Sequence, residues 1–255
     1  MTLKNLIKKI TITTKIDQAK FYHKLLYLIY FWQFRKNFYT FSQTGEDIII
    51  RQFIPENKGS YIDIGSGDPI LENNTYHLYR RGWNGFLIDP ILNNHLKNIK
   101  FRPRDKSILG ICGENVGEKD FNQTIPYQFS HVSVGSSIQN KEVDNFIITK
   151  SYKVKQIDLQ SLNISVNPAQ PFLVSIDVEG FEIDVLNGID WKNFQPRVFL
   201  VEQHLELSPE SNFIASIPKT EVGRKLSNNN YSCMGYTGLT SVWVHQNYLE
   251  LKLKY

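Results

Sequence analysis

The stretch that most constrains the fold is Tyr-Ile-Asp-Ile-Gly-Ser-Gly-Asp at residues 61–68. An apolar, β-prone run ends there and is followed by Gly65 and Gly67, and a second apolar run ends in Asp89, 24 positions after Gly65. A strand, a glycine-rich turn, a helix and a second strand ending in an acid form the first half of a nucleotide-type α/β site. The glycines permit close approach of the backbone to a ligand. Asp89 is placed to accept hydrogen bonds from both hydroxyls of a ribose.

The residues after the turn distinguish between the ligands that such a site can take. In a dinucleotide site a third glycine opens the helix, and the pyrophosphate lies on the helix N-terminus. This chain has Ile70 at that position, preceded by Asp68, whose charge would repel a phosphate. S-adenosylmethionine has no phosphate and carries a sulfonium and an ammonium, so Asp63 and Asp68 suit its methionine end. We therefore expect S-adenosylmethionine rather than a nicotinamide dinucleotide.

Composition and charge restrict the compartment and the partners. A chain of 255 residues with 41% hydrophobic content can form one large α/β domain. Residues 1–40 carry eight Lys and Arg against one Asp, a net charge of +7, and the remainder carries a net charge of −3. This mildly acidic body argues against a nucleic-acid partner. The two cysteines, Cys112 and Cys233, lack zinc or disulfide spacing and predict a reducing compartment, the cytoplasm.

Residues 1–40 form a basic arm with an apolar and aromatic run at 25–34. The run is too short to span a bilayer, which needs about 20 apolar residues. No small-residue cleavage site follows it, so it is a poor signal peptide. A helix here either packs on its own domain or on a second subunit, or lies at the inner face of an anionic membrane. The sequence leaves homo-oligomer formation and peripheral membrane contact open.

Residues 41–255 are predicted to form one domain, a mixed sheet with helices on both faces and a closing antiparallel hairpin. Ser42 and residues 73–75 are expected to cap the helices that follow them. Residues 115–150 show little periodicity and are predicted to be an irregular insertion. Apolar runs predict strands at 60–64, 85–89, 107–112, 172–177 and 198–202, with the hairpin formed by 231–235 and 241–245.

Polar side chains stand at the carboxyl ends of these predicted strands. Ligands bind at that edge of open α/β sheets. Each residue alone would be an ordinary helix cap or solvated turn residue. Their recurrence after apolar runs predicts one shared cleft, formed by Asp63, Asp89, Asp177 with Glu179, and Glu202 with His204.

The last four of these residues allow two chemical roles. Asp177, Glu179, Glu202 and His204 could bind a hard divalent cation such as Mg²⁺, which would lower the pKa of a substrate hydroxyl. Alternatively, His204 acts as a general base while a carboxylate fixes its tautomer. The spacing does not decide between the two. His131, in the predicted insertion, is a second candidate base.

Several motifs in this chain resemble the successive signatures of FkbM-type methyltransferases. The most specific is the block at 176–182, and Ser66-Gly67 departs from the alanine and asparagine frequent in the family. The resemblance covers about residues 41–204 and rests on Ser42-Gln43-x-Gly45-Glu46-Asp47, Asp63-Ile64-Gly65-Ser66, Ile176-Asp177-Val178-Glu179-Gly180-x-Glu182 and Val201-Glu202-x-His204.

The resemblance implies a class I, Rossmann-like methyltransferase fold with a mixed seven-stranded sheet, using S-adenosylmethionine to methylate oxygen. It implies that Asp177, Glu179 and Glu202 face the methyl-transfer cleft. The cofactor-binding residues would be Gln43, Glu46, Asp63, Gly65, Asn74 and Asp89, together with Ser66 and Gly67 of the turn.

We therefore expect an S-adenosylmethionine-dependent O-methyltransferase acting on a sugar hydroxyl of a surface glycan or a glycosylated natural product. A polar, acidic cleft suits a neutral polyhydroxy acceptor, whose hydroxyls need hydrogen-bond acceptors. The alternatives are a nicotinamide-dependent oxidoreductase and a non-catalytic glycan-binding module tethered by its arm.

Overall fold

A computed structural model describes residues 40–126, 136–137, 146–205 and 213–253. The predicted helix in the arm and the candidate base His131 lie outside these residues. Within them the chain forms eleven strands: β1 Ser60–Ile64, β2 Asn84–Asp89, β3 Lys106–Leu109, β4 Ile111–Cys112, β5 Gly117–Pro126, β6 Ser136–Ser137, β7 Phe146–Ile157, β8 Phe172–Ile176, β9 Val198–Glu202, β10 Tyr231–Tyr236 and β11 Thr240–His245.

Seven of these strands form the main sheet, in the order β10-β11-β9-β8-β1-β2-β3. The five from β9 to β3 are parallel, and β11 and β10 close the sheet as an antiparallel hairpin. The chain moves outward from β1 through β2 to β3 and then resumes at β8 on the other side of β1. This reversal leaves a crevice between β1 and β8 at their carboxyl ends, where open α/β sheets bind ligands. The predicted mixed seven-stranded fold is confirmed.

Helices cover both faces of the main sheet. Adjacent residues of one strand enter opposite cores: Leu173 packs with Ile50 and Leu78, whereas Val174 packs with Val185 and Leu226. The α-helices are α1 Glu46–Ile50, α2 Tyr76–Arg80, α3 Leu92–Phe101, α4 Glu182–Asn187, α5 Phe213–Ser216, α6 Glu221–Ser227 and α7 Gln246–Leu253, with 3₁₀ turns at Gln160–Leu162 and Ile217–Lys219.

The predicted irregular insertion is wrong at both of its flanks. Strands β5 and β7 pair antiparallel over ten residue pairs and form a second, four-stranded sheet with β4 and β6. Residues 117–120 and 148–151 are exposed, so these parts of the ribbon lack the alternation of buried and exposed side chains that identifies a strand in a sequence; Phe121 and Val154 are buried. The predicted strand at 107–112 is likewise two strands, because Gly110 passes from the main sheet to the second sheet. A Cβ on Gly110 would lie 2.6 Å from the Lys155 carbonyl oxygen.

Two predicted helix caps are also wrong. Helix α1 begins after Gly45 at φ 92, so Ser42 is not its N-cap residue; the Ser42 hydroxyl accepts from the Asp47 amide at 3.3 Å and donates to Asp47 Oδ1 at 3.2 Å. Thr75 precedes α2 without a capping hydrogen bond, and its hydroxyl donates to Asp63 Oδ2 at 2.6 Å. The two predictions fail for different reasons: Ser42 lies three residues before the N-cap position, whereas the Thr75 hydroxyl is directed to a carboxylate of β1.

Candidate active site

A cavity of about 800 Å³ opens at the carboxyl ends of β1, β2, β8 and β9. The predicted site residues that line it are Gln43, Gly65, Ser66, Gly67, Asp89, Asp177, Glu179, Glu202 and His204. The strand-end acids therefore converge on one hollow, with the sole exception of Asp63.

The glycine turn forms one wall of the cavity, and its two glycines are needed for different structural reasons. Gly65 has φ +77, and a Cβ on it would lie 1.6 Å from the Asp177 carbonyl oxygen. Gly67 has φ +56, but a Cβ there would meet no atom within 4 Å. Gly65 thus allows the turns after β1 and β8 to touch, whereas Gly67 leaves backbone open to the cavity.

Asp89 ends β2 and is held by donors from both sides. Its Oδ2 accepts from the Gly67 amide at 2.8 Å, and its Oδ1 accepts from the Ile91 amide at 2.8 Å. Asn94 of α3 donates to both oxygens at 3.3 Å. Burial raises the pKa of Asp89 to about 6 despite these hydrogen bonds. The carboxylate is fixed at the cavity wall with its orientation set before any ligand binds.

Asp63 supports the turn from behind and does not line the cavity, which corrects its predicted contact with the ligand. The side chain is 3% exposed, and its Oδ2 accepts from Thr75 and from Asn73 Nδ2. Burial raises the pKa of Asp63, and the positive charge of Arg102 acts in the opposite direction. The carboxyl is used within the protein because it faces the buried side of β1.

Two further predicted cofactor residues are also absent from the cavity wall. Glu46 is buried and accepts from the Thr44 amide at 3.0 Å and from the Thr237 hydroxyl at 2.8 Å. It therefore joins the segment that carries Gln43 to the closing hairpin. Asn74 donates to the Ser175 hydroxyl at 3.2 Å and so ties the start of α2 to β8.

Asp68 lies on the cavity rim but is not a free charge. Its Oδ1 accepts from the amides of Ile70 and Leu71, and its Oδ2 accepts from Lys97 Nζ at 3.0 Å. These hydrogen bonds lower the pKa of Asp68, against the effect of burial. Since Lys97 offsets its charge, repulsion of a phosphate is a weaker argument than the sequence indicates.

The opposite end of the cavity carries a pair of interacting carboxyls. Burial raises the pKa of Asp177 well above its ordinary value, and the neighbouring charge of Glu202 acts in the same direction. Burial also raises the pKa of Glu202 to about 7. The charge of Glu202 therefore disfavours the ionisation of Asp177, and a hydrogen bond with Asp177 partly offsets the effect of burial on the pKa of Glu202.

His204 lies beside this pair at the exposed edge of the cavity. Its Nε2 is 3.4 Å from Glu202 Oε1 and 3.8 Å from Glu179 Oε2. The Glu179 carboxylate raises the pKa of His204, and partial burial opposes the effect. Glu179 reaches this position from the left-handed region, at φ 53, which is uncommon for a residue other than glycine.

Three of the four predicted metal-binding residues come together. The ligand atoms of Glu179, Glu202 and His204 lie within 4.8 Å of one another. Asp177 is not a member of this group. The donor set, two carboxylates and an imidazole, has the chemistry of a divalent-cation site as well as that of a carboxylate-supported base.

Some cavity residues were not predicted from the sequence. Asn94 holds Asp89, and its position five residues later in an amphipathic helix is the only local signal for it. Cys112 and Phe121 line the cavity from the second sheet, and no sequence motif marks them. Asn73, expected as a cap, donates to the Ser66 carbonyl oxygen at 2.9 Å.

Comparison with protein families decides between the ligands that this geometry allows. The family model described as the methyltransferase FkbM domain matches residues 63–233, more than half of the chain. The chain belongs to the FkbM methyltransferase family. The FkbM domain is accordingly an S-adenosylmethionine-dependent methyltransferase with a class I, Rossmann-like fold. The nicotinamide-dependent alternative has no support from this assignment.

Two solved structures are similar to the FkbM domain at low sequence identity. One is monomeric WbdD, with 12% identity and a TM-score of 0.41 over 84% of this chain and 44% of that one. The chain thus spans less than half the length of WbdD. The other is a TehB-like SAM-dependent methyltransferase from Corynebacterium glutamicum, with 10% identity and a TM-score of 0.38 over 88% of this chain and 98% of that one.

No curated protein matches the sequence of the FkbM domain. Within the part of the chain that the structure describes, no helix has both the length and the apolar character needed to cross a bilayer.

Proposed function

We propose that this FkbM domain transfers a methyl group from S-adenosylmethionine to a hydroxyl of a sugar or glycan. The observation that carries the proposal is the placement of His204 Nε2 3.4 Å from Glu202 Oε1, in the same cavity as the glycine turn and Asp89. One cavity therefore contains both a nucleoside-binding wall and a group able to accept a proton.

The residues present fit S-adenosylmethionine. Asp89, held by the Gly67 amide, presents a buried carboxylate suited to ribose hydroxyls. The open space beside Gly67 admits a ligand against the backbone. The acids Asp177, Glu179 and Glu202 offer negative charge to a sulfonium and an ammonium. When bound, this cofactor supplies a methyl group that its sulfonium makes electrophilic.

In this proposal His204 removes the proton from the acceptor hydroxyl. The Nε2–H of the neutral imidazole faces the carboxylates of Glu179 and Glu202, so the ring accepts the proton at Nδ1, and the two carboxylates stabilise the imidazolium that forms. The Glu179 carboxylate raises the pKa of His204, which makes the imidazole a stronger base. The side chain is 63% exposed, so an acceptor can reach it from solvent.

The chemistry of the cavity wall favours a neutral, hydroxyl-rich acceptor. Gln43 and the carboxyl groups at the acceptor end provide hydrogen-bond acceptors for several hydroxyls. Of the described residues that line the cavity, Lys97 is the basic side chain other than His204, and it is paired with Asp68. An anionic acceptor would therefore find no unpaired Lys or Arg among these residues.

The proposal is tested by incubating the full chain with methyl-labelled S-adenosylmethionine and a pool of glycans. We expect label in a sugar, and a loss of about 10²–10⁴-fold in rate for His204→Gln. His95→Gln is the matched control, because His95 lies on α3 with its Nδ1 2.8 Å from the Ser107 hydroxyl and does not line the cavity. Glycan binding without any methyl transfer would instead favour the non-catalytic module.

A divalent cation at Glu179, Glu202 and His204 is the competing role for the same cluster. The 4.8 Å limit on their mutual separations favours it enough to test. If the residues bind Mg²⁺ or a similar ion, excess EDTA abolishes turnover and Mg²⁺ restores it. Full turnover by protein shown to be metal-free would leave His204 as the base.

A further inference from the structure

A fully buried arginine lies behind the glycine turn, on the side away from the cavity. Arg102 is 0% exposed, and its Nε donates to Asp105 Oδ2 at 2.7 Å. Its Nη2 donates to the hydroxyls of Tyr61 at 2.6 Å and Thr75 at 2.9 Å. Its Nη1 donates to Asn73 Oδ1 at 3.0 Å. Every nitrogen of the guanidinium therefore has a partner, and Asp105 offsets its charge within the core.

Asn73 connects this arginine to the turn. The side chain is 2% exposed, and its Nδ2 donates to the Ser66 carbonyl oxygen at 2.9 Å and to Asp63 Oδ2 at 3.3 Å. Its Oδ1 accepts from Arg102 and from the Thr75 amide at 3.0 Å. Both amide protons and the carbonyl oxygen are used, so the orientation of the side chain is fixed.

The turn needs such support because its sequence does not fix its conformation. Gly65 and Gly67 flank Ser66, and glycine visits left-handed and right-handed backbone conformations with similar ease. The Asn73 amide holds the carbonyl between them, while Asp89 holds the Gly67 amide from the other side. The Gly65 and Ser66 amides donate to the Ile88 carbonyl oxygen, so loss of Asn73 would remove the donor to the Ser66 carbonyl while the amides of the turn stay held.

We propose that Asn73 and Arg102 are positioning residues for S-adenosylmethionine: Arg102 fixes Asn73, and Asn73 fixes the backbone of the turn that binds the cofactor. The proposal rests on the proposed function in placing the cofactor against residues 65–67. Neither side chain lines the cavity, so both act through the turn and not by contact with the ligand.

The test uses Asn73→Asp in the full chain, with the affinity for S-adenosylhomocysteine measured by calorimetry. The substitution keeps the size of the side chain and the oxygen that accepts from Arg102 and Thr75. It removes the donor to Ser66 and places a second carboxylate beside Asp63. We expect the dissociation constant to rise at least tenfold while unfolding stays cooperative.

The control separates positioning from general stability. Arg197 is a second buried arginine, 2% exposed, which donates to the carbonyl oxygens of Pro168 and Ala169 and lies outside the cavity. Arg102→Lys and Arg197→Lys each remove the guanidinium of a buried arginine. We expect both to lower the melting temperature and only Arg102→Lys to raise the dissociation constant, with Arg197→Lys staying within about twofold of the unchanged protein.

The outcomes are distinguishable. A folded Asn73→Asp variant that binds S-adenosylhomocysteine as well as the unchanged protein overturns the positioning role. An equal loss of affinity in Arg197→Lys overturns it too, because stability alone would then account for the effect. If Arg102→Lys fails to fold, the affinity of Asn73→Asp for S-adenosylhomocysteine alone tests the positioning role. If the unchanged protein binds neither S-adenosylmethionine nor S-adenosylhomocysteine, the cofactor site itself is refuted, and the positioning role is refuted with it.

Discussion

The Gly67 amide donates to Asp89 Oδ2 at 2.8 Å and so joins the turn after β1 to the end of β2. The carboxylate is thereby oriented by the same backbone that lines the cavity. This contact makes the ligand wall a single unit, because displacing the acid also displaces the turn.

Replacement of Asp89 by Asn is expected to weaken S-adenosylhomocysteine binding by about 10–100-fold. A hydrogen bond to a charged group contributes about 1.5–3 kcal/mol. In the variant the new side-chain NH₂ group would also be placed against the backbone N–H of either Gly67 or Ile91, where two donors cannot form a hydrogen bond. Calorimetry measures the change. Asp120→Asn is the control, since Asp120 is an exposed residue of β5 that pairs with Lys153 and does not line the cavity. A threefold effect or less at Asp89 would contradict its role at the ribose.

The two glycines of the turn are expected to differ sharply on substitution by alanine. In Gly65→Ala the new Cβ would lie 1.6 Å from the Asp177 carbonyl oxygen, so the strands must separate and we expect a loss of more than about 3 kcal/mol. In Gly67→Ala only the left-handed conformation is strained, at a cost of about 1–2 kcal/mol. Denaturant unfolding of both variants gives the comparison, and equal losses would show that the turn is looser than described.

Replacement of Glu179 by Gly is expected to lower methyl transfer without lowering the free energy of unfolding. Its φ of 53 is strained for a residue with a Cβ, so Glu179→Gly should leave the free energy of unfolding unchanged or raise it by about 1 kcal/mol. Methyl transfer should fall, because His204 loses the carboxylate 3.8 Å from its Nε2. Thermal unfolding and label transfer are measured on the same preparation. Unimpaired transfer would remove Glu179 from the active site.

A buried histidine is expected to make folding sensitive to acid. Burial, together with the charges of Arg51, Arg81 and Arg102, lowers the pKa of His77 to about 3. The unfolded chain binds a proton near pH 6.5 and the folded chain does not. The stabilisation is therefore complete above pH 6.5 and is lost as the pH falls towards 3, at up to about 1.4 kcal/mol per pH unit.

The matching measurement compares the unchanged protein with His77→Phe at pH 7.5 and pH 5. The raised pKa values of Asp89 and Glu202 act with the opposite sign, but they are common to both proteins and cancel in the difference. We expect the unchanged protein to lose about 2 kcal/mol of unfolding free energy relative to His77→Phe between pH 7.5 and pH 5. A constant difference would place a solvated, freely titrating imidazole at position 77.

The sheet and the turn could be predicted from the sequence because their signals are local. Apolar runs such as 172–176 specify buried strands, and a glycine pair followed by Asp89 specifies a turn and an acid at the end of the next strand. The acidic end of the cavity could also be predicted, since parallel strands bring their carboxyl ends to one edge. These inferences need no knowledge of which distant side chains meet.

The sequence analysis was inaccurate where the environment of a residue depends on a side chain that is distant in the sequence. Asp63 has the position of a cofactor-binding acid, but Arg102, 39 residues later, helps to hold it within the protein. Asp68 looks like a free charge until Lys97 is placed beside it. The ribbon of β5 and β7 was not predicted because residues 117–120 and 148–151 are exposed and give no alternating apolar pattern, although Phe121 and Val154 are buried.

The close approach of Gly65 to the Asp177 carbonyl has a consequence for how this enzyme can diversify. A side chain at position 65 would collide with the Asp177 carbonyl oxygen, so the turns after β1 and β8 cannot move closer together to reshape the cavity. New substrate preferences must then be acquired at rim side chains such as Phe181 and Leu239, while the strand framework beneath them stays as it is.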